Sequence, residues 1–550
     1  MRGAAKDVAG LYGILVRHFF GRFFDKEALS PQGEPEANIV QTLGILMVPG
    51  AFFVLVLRPL TLMGWSLIMA RTWFVFFSMA AMGFIVVLQW DALFPDRRDY
   101  QILTPLPLSL TSVFVAKTAA LGLFLGIFLI DINVASTLFW PGIDAGGDAL
   151  NILASHIIAV VAAGLFTALA AAAVQGVLIT LLPAGLFRRV SVCLQTVLLA
   201  AFVMMVCLTP IAGHVMHDMV KHNNPFLWWF PGFWFIGVYE LIRPAVGDPT
   251  ALALGHRGVQ ALGWAAAIFV LTYLPGYRRA TRKIVASPEP VCSGPGRLRT
   301  WIAALLHCTL LRGPVERAAF HFMTQTITRS FKHRLFLAAY AGFGAALVVI
   351  SFASGPGGAL RLPLMLSFVL VSALRAAFNF PSELRANWTF QLSDTDHALE
   401  CFSAMRKWIA VCAIGPLFLI WAPVEFSLFP WNEAAFHIAF GLTLCVLLIE
   451  IMFFGFKKAP FTCSYLPGKV NLVGLGAIYV FGFTTYSDLM AGLEAQLVRE
   501  PPAAAAFFIA AAAVYCGLVY WRRRTMGAAP ALDYEDIPDP VVRTLDLSVR

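Results

Sequence analysis

The chain has 550 residues, 59% of them hydrophobic and 13% charged, with a mean hydropathy of +0.76. A soluble domain carries roughly 25% charged residues, so a soluble enzyme is excluded and an all-α polytopic membrane protein is expected. The net charge of +9 does not point to nucleic acid, because the basic residues lie in loops between apolar runs, where topology explains them.

Residues 1–38 form a cytoplasmic or interfacial amphipathic segment: Leu11, Leu15, Phe19 and Phe23 recur every four residues, with Arg17, Arg22 and Lys26 between or after them. The apolar run 11–16 is too short for a signal-peptide core of about 7–15 residues, so the first span is expected to direct insertion. Six spans follow in the stretch 39–275, near 39–58, 72–90, 113–133, 152–182, 189–212 and 258–275. The long segment 213–257 before the last of these is dense in aromatics, including Phe226, Trp228, Trp229, Phe233 and Trp234, and predicts a short re-entrant helix pair at the membrane interface.

A basic linker at 276–334 cuts the chain near its centre. From 275 to 334 it holds eleven Lys and Arg against Glu289 and Glu316, and Arg317, Phe320, Met323, Ile327 and Phe331 repeat the amphipathic spacing of the N-terminus. Six further spans follow within 335–521, near 335–353, 362–380, 406–422, 434–455, 470–487 and 503–521, and a disordered cytoplasmic tail at 522–550 ends the chain. With both termini in the cytoplasm, 33 of the 40 Lys and Arg fall inside and 7 outside; Arg71 and Arg243 are among the seven. Six being even, the two sets enter the membrane alike, so the expected architecture is about twelve transmembrane helices in two parallel six-helix repeats.

Signatures of catalysis are scarce. There is no HExxH, no GxSxG and no phosphate loop. The nine cysteines have no CxxC spacing and read as apolar filler. His214, His217, Asp218 and His222 have a spacing that would suit a metal, but the polar side of an interfacial helix accounts for them equally, and no metal or cofactor site is assigned to this chain. Asp394 and Asp396 make a DxD that fits a solvated turn. Lys117, Asp131, Gln175 and Glu450 lie in or near spans, where a polar group needs protein or water around it, and are the candidate pathway residues.

The loop after the second span carries more information. It holds Asp96, Arg97, Arg98 and Asp99, then Pro105, Leu106, Pro107 and Leu108, with Ala116 and Lys117 opening the next span. A charged cluster, a short helix and a Leu-Pro stop make a rigid knob. This resembles the loop between the second and third spans of type-2 ABC exporter permeases, where an acidic residue, a Leu-Pro pair and an Ala-Lys recur, here Asp99, Leu106, Pro107, Ala116 and Lys117. The corresponding loop of the second half keeps Phe380, Pro381, Glu383 and Arg385 but lacks the Leu-Pro-Leu stop.

The resemblance implies a non-enzymatic permease of a bacterial cytoplasmic membrane, moving a hydrophobic or amphipathic substrate. ABC ATPase subunits on separate chains would bind ATP and Mg and contact both loops. Membrane lipid is the other expected partner. An ion-coupled secondary transporter using Lys117, Asp131 or Glu450 is the alternative, and a lipid- or glycolipid-modifying enzyme built on the DxD is a third.

Overall fold

The structure is a computed structural model that describes residues 2–24, 66–93, 105–106, 108–144, 148–222, 224–243, 249–286, 297–382, 387, 398–454, 456, 458–463 and 472–527. These residues are almost wholly helical and divide into two compact units, Met1–Val291 and Cys292–Arg550, separated inside the basic stretch 276–334. Among the described residues ten helices are long and apolar enough to cross a membrane, five per unit, so the chain is a polytopic integral membrane protein. The expected span at 39–58 lies outside the described residues. The one at 470–487 is not among the ten.

In the first unit α1 (Arg2–Phe24) precedes α2 (Leu67–Leu88), α3 (Leu110–Phe139), α4 (Ala149–Leu181) and α5 (Ala184–Lys221). The stripe Leu15, Phe19 and Phe23 is buried, and α1 lies along α3 with Phe23 against Phe124, their ring centroids 5.3 Å apart. Its apolar face thus packs on protein rather than lying in lipid.

Two short helices, α6 (Phe226–Trp229) and α7 (Pro231–Ile242), occupy the stretch expected to hold a re-entrant pair, before α8 (Pro249–Ala286). Phe235, Ile236 and Tyr239 of α7 are buried, and α7 packs on α2, α4 and α8. Consequently α5 and α8 each run 38 residues, well beyond the expected 189–212 and 258–275. The connection expected outside is mostly helix instead of loop. Arg71, expected outside, lies one turn into α2 and is buried.

The second unit opens with α9 (Arg297–Thr309) and α10 (Pro314–Arg329), so much of the basic linker is helical. Next come α11 (Phe331–Ala353) and α12 (Pro356–Ala377), joined through Gly355, whose φ of +82° turns the chain where a side chain would be strained. A continuous helix then comprises α13 (Ala398–Ile409), a π turn at Ala410–Ile414 and α14 (Gly415–Leu428). Pro416, just after the π turn, has no N–H to give and its ring clashes with the carbonyl four residues back, which the wider turn relieves. After α15 (Trp431–Met452), α16 (Leu472–Thr484) continues through a second π turn into α17 (Met490–Leu497), and α18 (Pro501–Gly527) ends the described chain.

The tightest crossing in the first unit is between α7 and α8. A Cβ on Gly237 would sit 2.4 Å from the Gly255 nitrogen, and one on Gly255 would sit 2.5 Å from the Gly237 carbonyl oxygen. Backbone cannot step aside as a side chain does. Gly255→Val should therefore cost about 1–3 kcal/mol or more, read as a lower Tm of the chain in detergent, whereas Gly263→Val, which meets open space, should leave Tm near that of the parent.

Candidate functional site

The residues that leave the predicted cytoplasmic end of α2 are buried and tied to four other helices. Gln89, Trp90 and Leu93 are all at most 1% exposed. Gln89 Nε2 donates to the Phe23 carbonyl of α1 at 2.8 Å, and Gln175 Nε2 of α4 donates to the Trp90 carbonyl at 2.9 Å. Trp90 Nε1 donates to Ser191 Oγ of α5 at 2.7 Å, and Gln195 Nε2 of the same helix donates to the Val87 carbonyl at 2.9 Å. Tyr273 of α8 donates its hydroxyl proton to the Leu93 carbonyl at 2.7 Å. Carbonyls that a helix end leaves unpaired are thus satisfied by side chains from its neighbours.

That hub is the root of the loop singled out in the sequence. The loop residues Asp96, Arg97, Arg98, Asp99 and Pro107 lie outside the described residues, as do Glu383 and Arg385 in the second half, while Pro105 is exposed in a turn. Lys117, on the second turn of α3, is buried with its ammonium 5.7 Å from the Phe19 ring centre of α1.

The second unit pins the end of α12 by different means. Phe461 donates its N–H to the Phe378 carbonyl at 2.9 Å, Ser382 donates its N–H to the Phe461 carbonyl at 3.0 Å, and Asn387 Nδ2 donates to the Thr462 carbonyl at 2.7 Å. His333 Nε2 of α11 reaches the Phe380 carbonyl at 3.2 Å. Phe461 has a φ of +65°, a true outlier for a bulky residue. It is kept there by its two backbone bonds and by a buried ring against His333, Phe322 and Phe378. Nearby α10 packs on α13, and Lys407 Nζ donates to both Glu316 carboxylate oxygens, at 2.8 and 2.7 Å.

The other candidate polar residues do not converge. Gln175 belongs to the first hub, with Oε1 unpartnered among the described residues. Asp131 is half-buried on α3, and its Oδ2 makes no hydrogen bond among the described residues. Glu450, 2% exposed near the end of α15, pairs with Arg406 of α13 and Arg522 of α18, and the Phe402 ring lies beneath both guanidinium groups. No three His, Cys, Asp or Glu side chains among the described residues are placed to hold a metal, and eight described cysteines are free thiols.

Two buried clusters at predicted outer ends were not foreseen. In the first unit Arg71 Nη1 donates to Glu240 Oε1 at 2.6 Å, and Asp144 Oδ2 accepts from Arg243 at 2.8 Å and lies 3.7 Å from Arg71. Tyr239 bonds His156 Nδ1 at 2.8 Å, and His156 Nε2 bonds Ser136 Oγ at 3.0 Å, with Trp140 stacked on the imidazole. Burial holds the Tyr239 hydroxyl far above its ordinary pKa, so it stays protonated. In the second unit His437 Nδ1 bonds Glu494 Oε1 at 2.7 Å, with Glu425 buried nearby. Burial raises the Glu494 carboxyl and His437 draws it partly back. The available signal was Glu240 itself, a carboxylate in the apolar run 233–242, costly unless matched by a cation such as the one at the edge of α2.

No family model, curated protein or solved structure matches the chain.

Removing Glu450 would leave the buried Arg522 and the partly exposed Arg406 without their shared carboxylate. Glu450→Ala should destabilise the second unit by about 3–5 kcal/mol, and the double variant Glu450→Leu with Arg522→Leu should recover part of that, both read by thermal melting in detergent.

The Glu316–Lys407 pair makes a pH prediction. Burial alone would raise the Glu316 carboxyl, but hydrogen bonds from Lys407, Ser403 and the Arg312 backbone outweigh it and hold the group below its ordinary value. A depressed carboxylate contributes stability above its unfolded pKa and loses it as pH falls through the folded one. The Tm gap between the parent and Glu316→Gln should accordingly be full at neutral pH and close in acid below the usual glutamate range.

Proposed function

We propose that this chain is the membrane-spanning permease of an ATP-binding-cassette exporter, with two six-span halves, both termini in the cytoplasm of a bacterial cell, and ATPase subunits on separate chains. The observation that carries the reading is the hub at 87–93. A loop that receives force from a partner must be rooted in something stiff, or the stroke is lost in bending. Here the root is bonded to α1, α4, α5 and α8, so a push on residues 94–104 is shared among four helices. The bonds at 378–382 give the second loop a comparable footing.

Likeness of layout within each unit supports two related halves. An amphipathic helix packs along the start of the third expected span in both, α1 on α3 and α10 on α13, next to Lys117 and Lys407 respectively. A histidine near the start of the fourth expected span bonds a residue from the short helix between the fifth and sixth: His156 with Tyr239, and His437 with Glu494. On this reading ATP-driven closure of the ATPases presses the loops, and the two halves rock to release a hydrophobic or amphipathic substrate outward. A second reading, ion-coupled transport, draws on Asp131 and on the His437–Glu494 pair, which offer carboxylates able to take up a proton.

The deciding experiment isolates the loops. Asp96→Arg with Asp99→Arg should insert normally yet lose co-purification with the ATPase, at a cost of about 2–5 kcal/mol for a desolvated contact. Glu383→Arg with Asp394→Arg should do less. Tyr273→Phe, which removes the hydroxyl and with it the bond to the Leu93 carbonyl, should keep the ATPase bound and lower transport-linked ATP hydrolysis. Full coupling in the 96/99 variant would favour the ion-coupled reading.

A further inference from the structure

Between α4 and α8 lies a groove of about 480 Å³, open on one side and lined only by apolar residues, from Phe166 to Leu178 on α4 and from Ala261 to Ile268 on α8. Its room comes from small residues, Ala170, Ala173, Ala261 and Ala265, where leucines would have closed the seam. The α4 side rises about 18 Å over the twelve steps from Phe166 to Leu178, close to the roughly 15 Å depth of one leaflet's hydrocarbon. Just past its last lining residue, Arg279 of α8 donates to the Thr180 carbonyl of α4. Arg278 and Arg279 are both exposed there, and Arg188 and Arg189 are exposed at the same end, at the start of α5.

We infer that this groove holds one acyl chain of a phospholipid from the cytoplasmic leaflet, with the lipid phosphate on Arg278 and Arg279. A helix could seat only part of its girth there. One about 10 Å across and of the same length would need roughly 1,400 Å³. Charge points the same way, since guanidinium groups bind phosphate through paired, charge-assisted hydrogen bonds and sit where a headgroup of that leaflet must lie. Trp264, 70% exposed, borders the groove's far half, where the end of the chain would rest. The inference rests on the proposed topology, which puts Arg278 and Arg279 on the cytoplasmic side, and not on the ATPase partnership.

The test uses the full chain in nanodiscs of phosphatidylcholine and phosphatidylglycerol, with a trace phospholipid carrying a diazirine near the end of one acyl chain. After illumination, label should map to 166–178 and 261–268, saturate, and be competed by unlabelled phospholipid but not by phosphate-free diacylglycerol. Val174→Trp, which fills the groove from a 44% exposed position, should lower labelling at least about fivefold. Arg278→Gln with Arg279→Gln should raise the competitor needed about tenfold, and because both side chains are on the surface this variant should fold. Labelling that does not saturate, that spreads evenly along exposed helices such as α18, that diacylglycerol competes equally, or that both variants leave unchanged would overturn the assignment.

Discussion

Arg71 can occupy a membrane span only because Glu240, 169 residues further along, reaches it at 2.6 Å. Hydrocarbon offers no water, so any charge or free backbone group carried into it must find a partner within the protein. Much of the first unit follows from that requirement. Glu240 has to be brought to the edge of α2, so α7 folds back against α2, α4 and α8, and it packs that closely because Gly237 and Gly255 let two backbones touch. Asp144 and Arg243 complete the charge balance, and Tyr239, His156 and Ser136 complete the hydrogen bonding.

The predicted cytoplasmic ends obey the same rule with uncharged groups. Helix ends leave carbonyls unpaired, and in the first unit those of Val87, Trp90 and Leu93 are taken by Gln195, Gln175 and Tyr273. The second unit reaches a similar result with backbone, through Phe461 in a left-handed conformation. Full charges there are matched instead, Glu316 by Lys407 and Glu450 by two arginines with an aromatic ring beneath them. One consequence is that the two roots should differ in character, a side-chain network in one unit and a fixed backbone corner in the other.

Ten of the twelve expected spans were legible because unbroken apolar runs leave few other solutions. The amphipathic stripe Leu15, Phe19 and Phe23 was legible too, though not the partner it packs on. Span edges were misplaced where a charge had a hidden partner, as with Arg71, and where α5 and α8 run on as helix past the apolar stretch. Of the hub, Gln175 alone stood out, as a polar group within a span, and the network it joins did not. Its bonds join residues 85, 101 and 180 positions apart, each helix contributing an ordinary Gln, Ser or Tyr that no spacing rule marks. Charge made Lys117 and Glu450 conspicuous, whereas Gln89 and Tyr273, which do as much to fix the site, look like any other polar residue near a membrane surface.

Helix length carries one more implication. At 38 residues α5 and α8 each rise about 57 Å, nearly twice the hydrocarbon thickness, so a change in bilayer depth only shifts which of their turns meet the headgroups. The apolar part of α12, Leu360–Ala377, is 18 residues, or about 27 Å, with no length to spare. A thicker, sterol-rich bilayer would have to thin locally around that helix. Among the described spans, the range of membranes in which the chain is comfortable is therefore set by the shortest.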